Sequence, residues 1–302
     1  MVMRVATFAL SDQMIANALR VQSVMANEQI QESSGQKSQD FAGYGADAGS
    51  VVNLQVSVTR SQSYIDAASV ADSKVQVMYS AVGSMTNILT QLRSQLSAAS
   101  VGSSTATSSV ITYAQQALSQ VGSLLNTQYD GEYVFSGAKT DTAPVNLTSY
   151  DTGTGSLTTS DTSYYQGDSE IASVRVSDSQ SVAYGANADN PAFEQVMRLL
   201  KYIGNSSTLS ASDLTASLNL ASSALDAVST VQAKISTSAS QIETASADQS
   251  DYQNFAQTLG GDLTNVDVAA VTAQLSAYQT QLTASYSAIA KIQGLSLANY
   301  LK

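Results

Sequence analysis

The chain has 302 residues, of which 43% are hydrophobic and only 12% are charged, about half the usual charged share; Ser, Thr, Ala, Gln and Asn fill the difference. A formal net charge of -11 leaves no phosphate-binding footprint, and the lack of cysteine and histidine excludes disulfides, thiolate metal sites and the commonest general base. An uncharged polar surface of this kind suits subunits packed closely against copies of themselves. The stretch before Ser11 is too short and too polar for a signal-peptide core or a membrane span, so any export is expected to use a route without a cleaved signal.

A first helix is expected to start near Ser11 or Asp12, either of which can cap it. Met14, Ala18, Val21 and Met25 then recur in steps of four and three, the spacing of a coiled-coil seam, with Ile15 and Leu19 beside them. The same spacing fits an ordinary amphipathic core helix. Glycines 35, 43, 45 and 49 predict an irregular link over 34–49. A second long helix follows, with Val51, Leu54, Val58, Ser61, Ile65 and Ala68 on one seam, then Val75, Met78, Val82, Met85, Leu89, Leu92 and Leu96 after a register shift. A Ser/Thr/Gly break is expected over 102–109, and a third helix buries Val110, Ala114, Ala117, Val121 and Leu124.

At Asp130 the character changes. Gly131-Glu132-Tyr133-Val134-Phe135-Ser136-Gly137 reads as a strand bounded by glycines, and from 138 to 190 helical periodicity disappears. Ala172, Val174 and Val176 alternate with Ser173 and Arg175, the period of a half-buried strand. Asp189, Asn190 and Pro191 open a short helix with Phe193, Met197, Leu200 and Ile203 on its apolar face. A longer helix carries Leu214, Leu218, Ala221, Leu225, Val228, Ile235, Ala239 and Ile242, interrupted by Gln232, and is expected to end at Gly260 and Gly261. A last helix, predicted over 266–300, would be about 50 Å long. Its seam is Val268, Val271, Leu275, Tyr278, Leu282, Ile289 and Ile292, broken only by Ser285. Such a helix needs a partner, and the N-terminal helix is the natural one.

The expected fold is mainly α with a small β insertion in the middle of the chain and long antiparallel helices at both ends. The expected division is a terminal coiled coil of 1–40 with 262–302, a helical rod of 41–137 with 190–261, and a β-rich outer insertion of 138–189 whose contacts are local.

Catalytic chemistry is sparse. Without His or Cys it would need a carboxylate pair, a Ser-Lys pair or a Tyr; Asp168 with Glu170, or Asp178 with Asp189, can be imagined as an acid/base pair, but such residues are far more often turn formers. Asp248, Asp251, Asp262 and Asp267 have no calcium-loop spacing. Tyr133, Tyr150, Tyr164, Tyr165 and Tyr184 fit a carbohydrate site or, more commonly, the core of a small sheet. No cofactor or metal is expected.

The C-terminal run Gln281-Leu282-Thr283-Ala284-Ser285-Tyr286 through Ile292, continued by Leu295-Ser296-Leu297-Ala298-Asn299-Tyr300-Leu301, closely resembles the C-terminal signature of bacterial flagellins and their hook-associated relatives. Asn265-Val266-Asp267-Val268-Ala269 looks like the opening of the same terminal helix, and Ser33-Ser34-Gly35-Gln36-Lys37 resembles the Ser/Thr-Gly-Lys element after the first helix. Within the family, Gly131 to Gly137 with Thr140, Thr142 and Pro144, then Tyr165-Gln166-Gly167-Asp168 and Val174-Arg175-Val176-Ser177, and Pro191-Ala192-Phe193-Glu194, look most like its hook-associated branch. The chain departs from the pattern after Lys37, where Asp40-Phe41-Ala42-Gly43-Tyr44-Gly45-Ala46-Asp47 replaces an acidic-proline element.

The resemblance implies a structural subunit that joins hook to filament, with a filament-forming subunit as the alternative and a type III-secreted adhesin as a reading of another class. It further implies export through the flagellar type III apparatus, an export chaperone, and partners that are copies of the chain and other axial proteins. Met14, Ala18, Val21, Met25, Val271, Leu275, Tyr278, Leu282, Ile289 and Ile292 become the candidate assembly surface.

Overall fold

The computed structural model describes residues 2–101, 104–150 and 153–298. In chain order the elements are α1 (Val2–Ser34), a 3-10 segment (Phe41–Asp47), α2 (Ala48–Ser100), α3 (Ser104–Leu125), β1 (Gln128–Tyr129), β2 (Glu132–Tyr133), α4 (Leu147–Tyr150), β3 (Ser173–Arg175), β4 (Ser181–Ala183), α5 (Pro191–Gly204), α6 (Ala211–Thr264) and α7 (Val268–Ala298). The strands form two antiparallel hairpins, β1 with β2 and β3 with β4. Two compact units result: Met1–Thr59 with Gln253–Lys302, and Arg60–Tyr252.

Several boundaries differ from expectation, each for a local reason. The first helix begins at Val2, not at Ser11 or Asp12. Nothing over 2–10 is Gly or Pro, so no residue there stops it. The third helix begins at Ser104, inside the expected break. Its hydroxyls bond back to carbonyls four residues earlier, Ser109 Oγ to Thr105 O at 3.1 Å and Thr112 Oγ1 to Ser108 O at 3.1 Å. A Ser/Thr run satisfied in this way stays helical. Residues 102 and 103 lie outside the described residues. Helix α6 runs through Gly260 and Gly261 to Thr264; two glycines cost about 2 kcal/mol in a helix interior, which is not enough to stop so long a helix.

The expected strand over 131–137 shrinks to Glu132 and Tyr133. Asp130 and Gly131 both have positive φ (51° and 80°) and form the tight reversal of a type I′ hairpin. The chain then turns inward, so that Phe135 is fully buried against Phe193, edge to face with centroids 5.8 Å apart.

In the unit Arg60–Tyr252 the core is continuous. Val75, Val82, Met85, Leu89, Leu92 and Leu96 of α2 are buried with Ala114, Val121 and Leu125 of α3, Phe193, Met197 and Leu200 of α5, and Val228 and Ile235 of α6. Asn190 caps α5, its Oδ1 accepting from Ala192 N at 3.0 Å, with Pro191 at the first helical position.

The contacts of 138–189 are not local, contrary to expectation. Val145, Tyr150, Tyr164, Val174, Val176 and Tyr184 belong to the same core as the helices. Tyr150 and Tyr164 meet edge to face at 5.0 Å, and the Tyr164 hydroxyl donates to Ala188 O at 2.8 Å. The ammonium of Lys201 on α5 lies 4.1 Å from the centroid of the Tyr150 ring and 3.0 Å from Asp161. Deleting 145–185 is therefore expected to lower the melting temperature of the helical core in circular dichroism. Tyr164→Ala alone should cost about 3–5 kcal/mol, as other buried rings do. An unchanged melt for the deletion would show that these residues carry a separate core.

Burial works to raise the Asp161 carboxyl, but hydrogen bonds from Ser163 and Lys201 outweigh it and hold the group below the usual range. A depressed carboxylate stabilises the fold above its unfolded value near pH 4, and that contribution is lost as pH falls through the folded value. Melting curves between pH 6 and pH 2 should show a smaller acid loss in Asp161→Asn than in wild type.

Candidate assembly surface

The unit that contains both ends is built on α1 and α7. Helix α1 stops at Gly35, whose φ of +70° is the left-handed conformation of a helix C-terminus and whose N–H donates to Gln31 O at 2.8 Å. Helix α7 opens on Asp267, whose Oδ1 accepts from Ala269 N at 3.0 Å and Ala270 N at 3.1 Å. The two helices pack antiparallel: the end of α1 meets the start of α7 where Thr272 Oγ1 donates to Glu32 Oε1 at 2.9 Å.

The expected seam positions lie on the shielded sides of these helices. Ala18 is 4% exposed and Val271, Leu275 and Leu282 are each 6% exposed. Met14, Val21, Met25, Tyr278, Ile289 and Ile292 are half-buried. Glu28 continues the α1 seam, and its Oε2 is buried without a hydrogen-bond partner. Asn299, Tyr300 and Leu301 of the terminal run lie outside the described residues.

One seam does not use up the apolar surface. On the far side of α1, Ile15, Leu19 and Ile30 are exposed, Leu19 to 59%. In the same unit Phe41, Val52, Val56, Val268 and Tyr286 are exposed, as is Phe255 at 64%. Sequence periodicity singled out Ile15 and Leu19 as flanking residues but passed over Phe255 and Leu259. Their spacing of four off the main α6 seam was the available signal.

The residues considered for catalysis do not converge. Asp178 accepts from Tyr64 Oη and Arg60 Nη1, each at 2.8 Å, and these bonds hold its carboxyl below the usual range. Asp168 is held low by the N–H groups of Ala138 and Glu170, whereas burial raises Asp189. Burial pushes the Tyr164 and Tyr165 hydroxyls up, the latter to about 12. The tyrosines with the largest burial are core residues, not the lining of a cleft. Asp248, Asp251, Asp262 and Asp267 are exposed. Among the described residues no group of His, Cys, Asp or Glu could hold a metal, and no helix is long and apolar enough to cross a membrane.

In the other unit, segments far apart in sequence meet. Asp168 N donates to Ser136 O at 3.1 Å, and Asp168 Oδ1 accepts from Ala138 N at 2.9 Å. Gly137, at φ +75°, lies so close to Asp168 that a Cβ there would fall 2.1 Å from its Oδ1. Gln166 N donates to Pro144 O at 2.9 Å, Tyr133 N to Thr140 O at 2.8 Å, and Ala188 N to Phe135 O at 2.9 Å. The turn after β2, the Tyr165-Gln166-Gly167-Asp168 run and the start of α5 thus form one assembly around Phe135 and Phe193.

The sequence matches the family model for the bacterial flagellin N-terminal helical region over residues 5–140 and that for the C-terminal helical region over residues 218–301. No curated protein matches the chain. Among solved structures, the fold is similar to that of a flagellar hook-associated protein from Vibrio parahaemolyticus, with a TM-score of 0.59 and 19% identity over 72% of this chain and 97% of that one. It is also similar to the flagellar junction protein FlgL from Legionella pneumophila, with a TM-score of 0.52 and 15% identity over 70% of this chain and 98% of that one.

The two faces of α1 separate experimentally. Leu282→Asp puts a carboxylate into the buried seam, at a cost of several kcal/mol unless it protonates. Hydrogen exchange in α1 and α7 should accelerate, with the melt of the unit Arg60–Tyr252 unchanged. Leu19→Asp, on the exposed face, should leave exchange in both helices as in wild type.

Proposed function

This chain belongs to the bacterial flagellin family, as both its N- and C-terminal helical regions attest, and we propose that within that family it is the hook-associated subunit that joins hook to filament. It is a structural component of the flagellum. The observation that carries the junction reading is the meeting of three segments in one place: the turn at Gly137, Asp168 beneath it, and the first turn of α5 with Phe193 against Phe135. These are the segments whose residues resemble the hook-associated branch, and each depends on the others for its hydrogen bonds or packing.

In this reading the terminal unit is where copies of the chain and neighbouring axial proteins meet. Its exposed apolar row at Ile15, Leu19 and Ile30 supports that role, because an isolated subunit leaves that face in water. The seam residues Met14, Ala18, Val21, Met25, Val271, Leu275, Tyr278, Leu282, Ile289 and Ile292 contribute by building the helix pair that presents the row. The reading includes export without a cleaved signal, an export chaperone that shields the same row beforehand, and no catalytic activity. A filament-forming subunit is the second reading, favoured by the flagellin models that match both ends.

Electron microscopy of a strain lacking this chain distinguishes the two. The junction role requires hooks without filaments, with filament protein of another sequence in the medium. A strain that builds filaments of normal length would overturn it, and a bare hook with no filament protein in the medium would assign the chain to the filament. Complementation with Leu19→Asp should restore secretion but not filaments.

A further inference from the structure

Lys37 stands where the end of α1, the end of α6 and the start of α7 come together. Its N–H donates to Thr264 O at 2.7 Å, and Val266 N donates to Gly35 O at 3.0 Å, so Gln36 and Asn265 form an isolated antiparallel bridge. The Lys37 ammonium reaches across to α6, donating to Leu263 O at 2.7 Å and Asp262 O at 3.2 Å. Both are last-turn carbonyls, which have no partner within the helix and carry its negative dipole end, so a cation is favoured there. The Lys37 carbonyl accepts in turn from Gln31 Nε2 of α1, at 2.9 Å.

We propose that Lys37 is a positioning residue that locks the register of α1 against α7. The seam itself discriminates poorly between registers. Its apolar residues recur every three or four positions on both helices, so a slide of one turn, about 5.4 Å, again sets apolar residues against apolar residues. The joint beside Lys37 does not permit such a slide. The link from α6 to α7 is only Asn265, Val266 and Asp267, and Gly35 ends α1 directly before the bridge. Moving α1 by one turn breaks both bridge hydrogen bonds and both ammonium contacts together. The lysine reinforces the bridge: beside the bond from its N–H to Thr264 O, its ammonium adds two more to the last turn of α6, from which the start of α7 is measured. The contacts join residues 225 and 226 positions apart, so they set a long-range register rather than a local turn.

Because the chain has no cysteine, introduced cysteine pairs report the register directly on the purified full-length protein. Glu32→Cys with Thr272→Cys reads the native register, and Glu32→Cys with Ser276→Cys reads a slide of one turn. With Lys37 present the first pair should form a disulfide at least several-fold faster than the second. Lys37→Met should bring the two rates together or reverse them, and Lys37→Arg should restore most of the native preference, since a guanidinium also donates to carbonyls. An unchanged ratio in Lys37→Met would overturn the proposal. So would an equal fall in both rates, which would make the lysine necessary for pairing as such and not for its register. The assay involves no assembly, so its outcome is independent of the junction role.

Discussion

The terminal unit depends on the contact between α1 and α7, and that contact is thin. The helices are joined through residues as far apart as Glu32 and Thr272, 240 positions in sequence, yet among the described side chains the buried apolar ones of α1 and α7 are Ala18, Val271, Leu275 and Leu282. Ordering a residue costs about 1–2 kcal/mol of backbone entropy, and a seam one side chain wide offsets little of that for two helices of this length. Hydrogen bonding at the joint, from Lys37 and the Gln36–Asn265 bridge, does part of the work that apolar burial does elsewhere. Exposure of Leu19 and Phe255 in the same unit shows where further burial is available, on faces that a single chain leaves uncovered.

The unit Arg60–Tyr252 solves the same problem differently. There α2, α3, α5 and α6 share one core with the irregular segment, and the charged groups packed against it are paired, Glu194 with Arg198 at 3.0 Å and Lys201 with Asp161, as is the Tyr164 hydroxyl with Ala188 O, whereas Ser217 Oγ is buried without a hydrogen-bond partner. Burial of such charges is favourable only when the partners are in place. The clustering of Asp161, Glu194, Arg198 and Lys201 between α5 and the 153–166 segment therefore makes that segment part of the core rather than an appendage. No charged residue lies between Arg93 and Asp130, and α3 meets solvent mostly through hydroxyls and amides. Many of the hydroxyls are satisfied by the helix's own carbonyls.

The long helices were legible in the sequence because apolar spacing reports helical faces directly: Met85, Leu89, Leu92 and Leu96 are all buried as their period requires. The pairing of the two ends was legible too, from matching seams. What the sequence obscured were ends and contacts. Ser11, Asp12, Gly260 and Gly261 look like boundaries, but a helix passes through such residues when nothing opposes its continuation. The boundary at Gly35 was legible as the start of the predicted link over 34–49, whereas the backbone bonds that tie it to Asn265 and Val266 across the chain have no local signal. The packing of Tyr150 and Tyr164 into the helical core was hidden for a related reason. Aromatic residues in a turn-rich stretch look the same whether they pack on each other or on distant helices. The motif Ser33-Ser34-Gly35-Gln36-Lys37 was visible as a resemblance, whereas the role of its lysine required the α6 carbonyls to be placed beside it.

The low charge of the chain gains its meaning from these contacts. Charged side chains are depleted from the centres of protein interfaces because removing them from water costs more than most pairings return. From Val268 to Ala290, helix α7 carries no charged residue, and Arg20 is the sole cation of α1 between Met14 and Ile30. A helix pair intended for solvent would ordinarily use Lys and Glu on its outer face, where they raise solubility and add favourable pairs along the helix. Here Ser, Thr, Gln and Ala occupy those positions. Such side chains permit close approach of a neighbouring helix without leaving a buried ion behind. A joint that locks one register and an outer face poor in charge are complementary requirements: the first fixes where each exposed apolar residue stands, and the second lets a neighbour reach it.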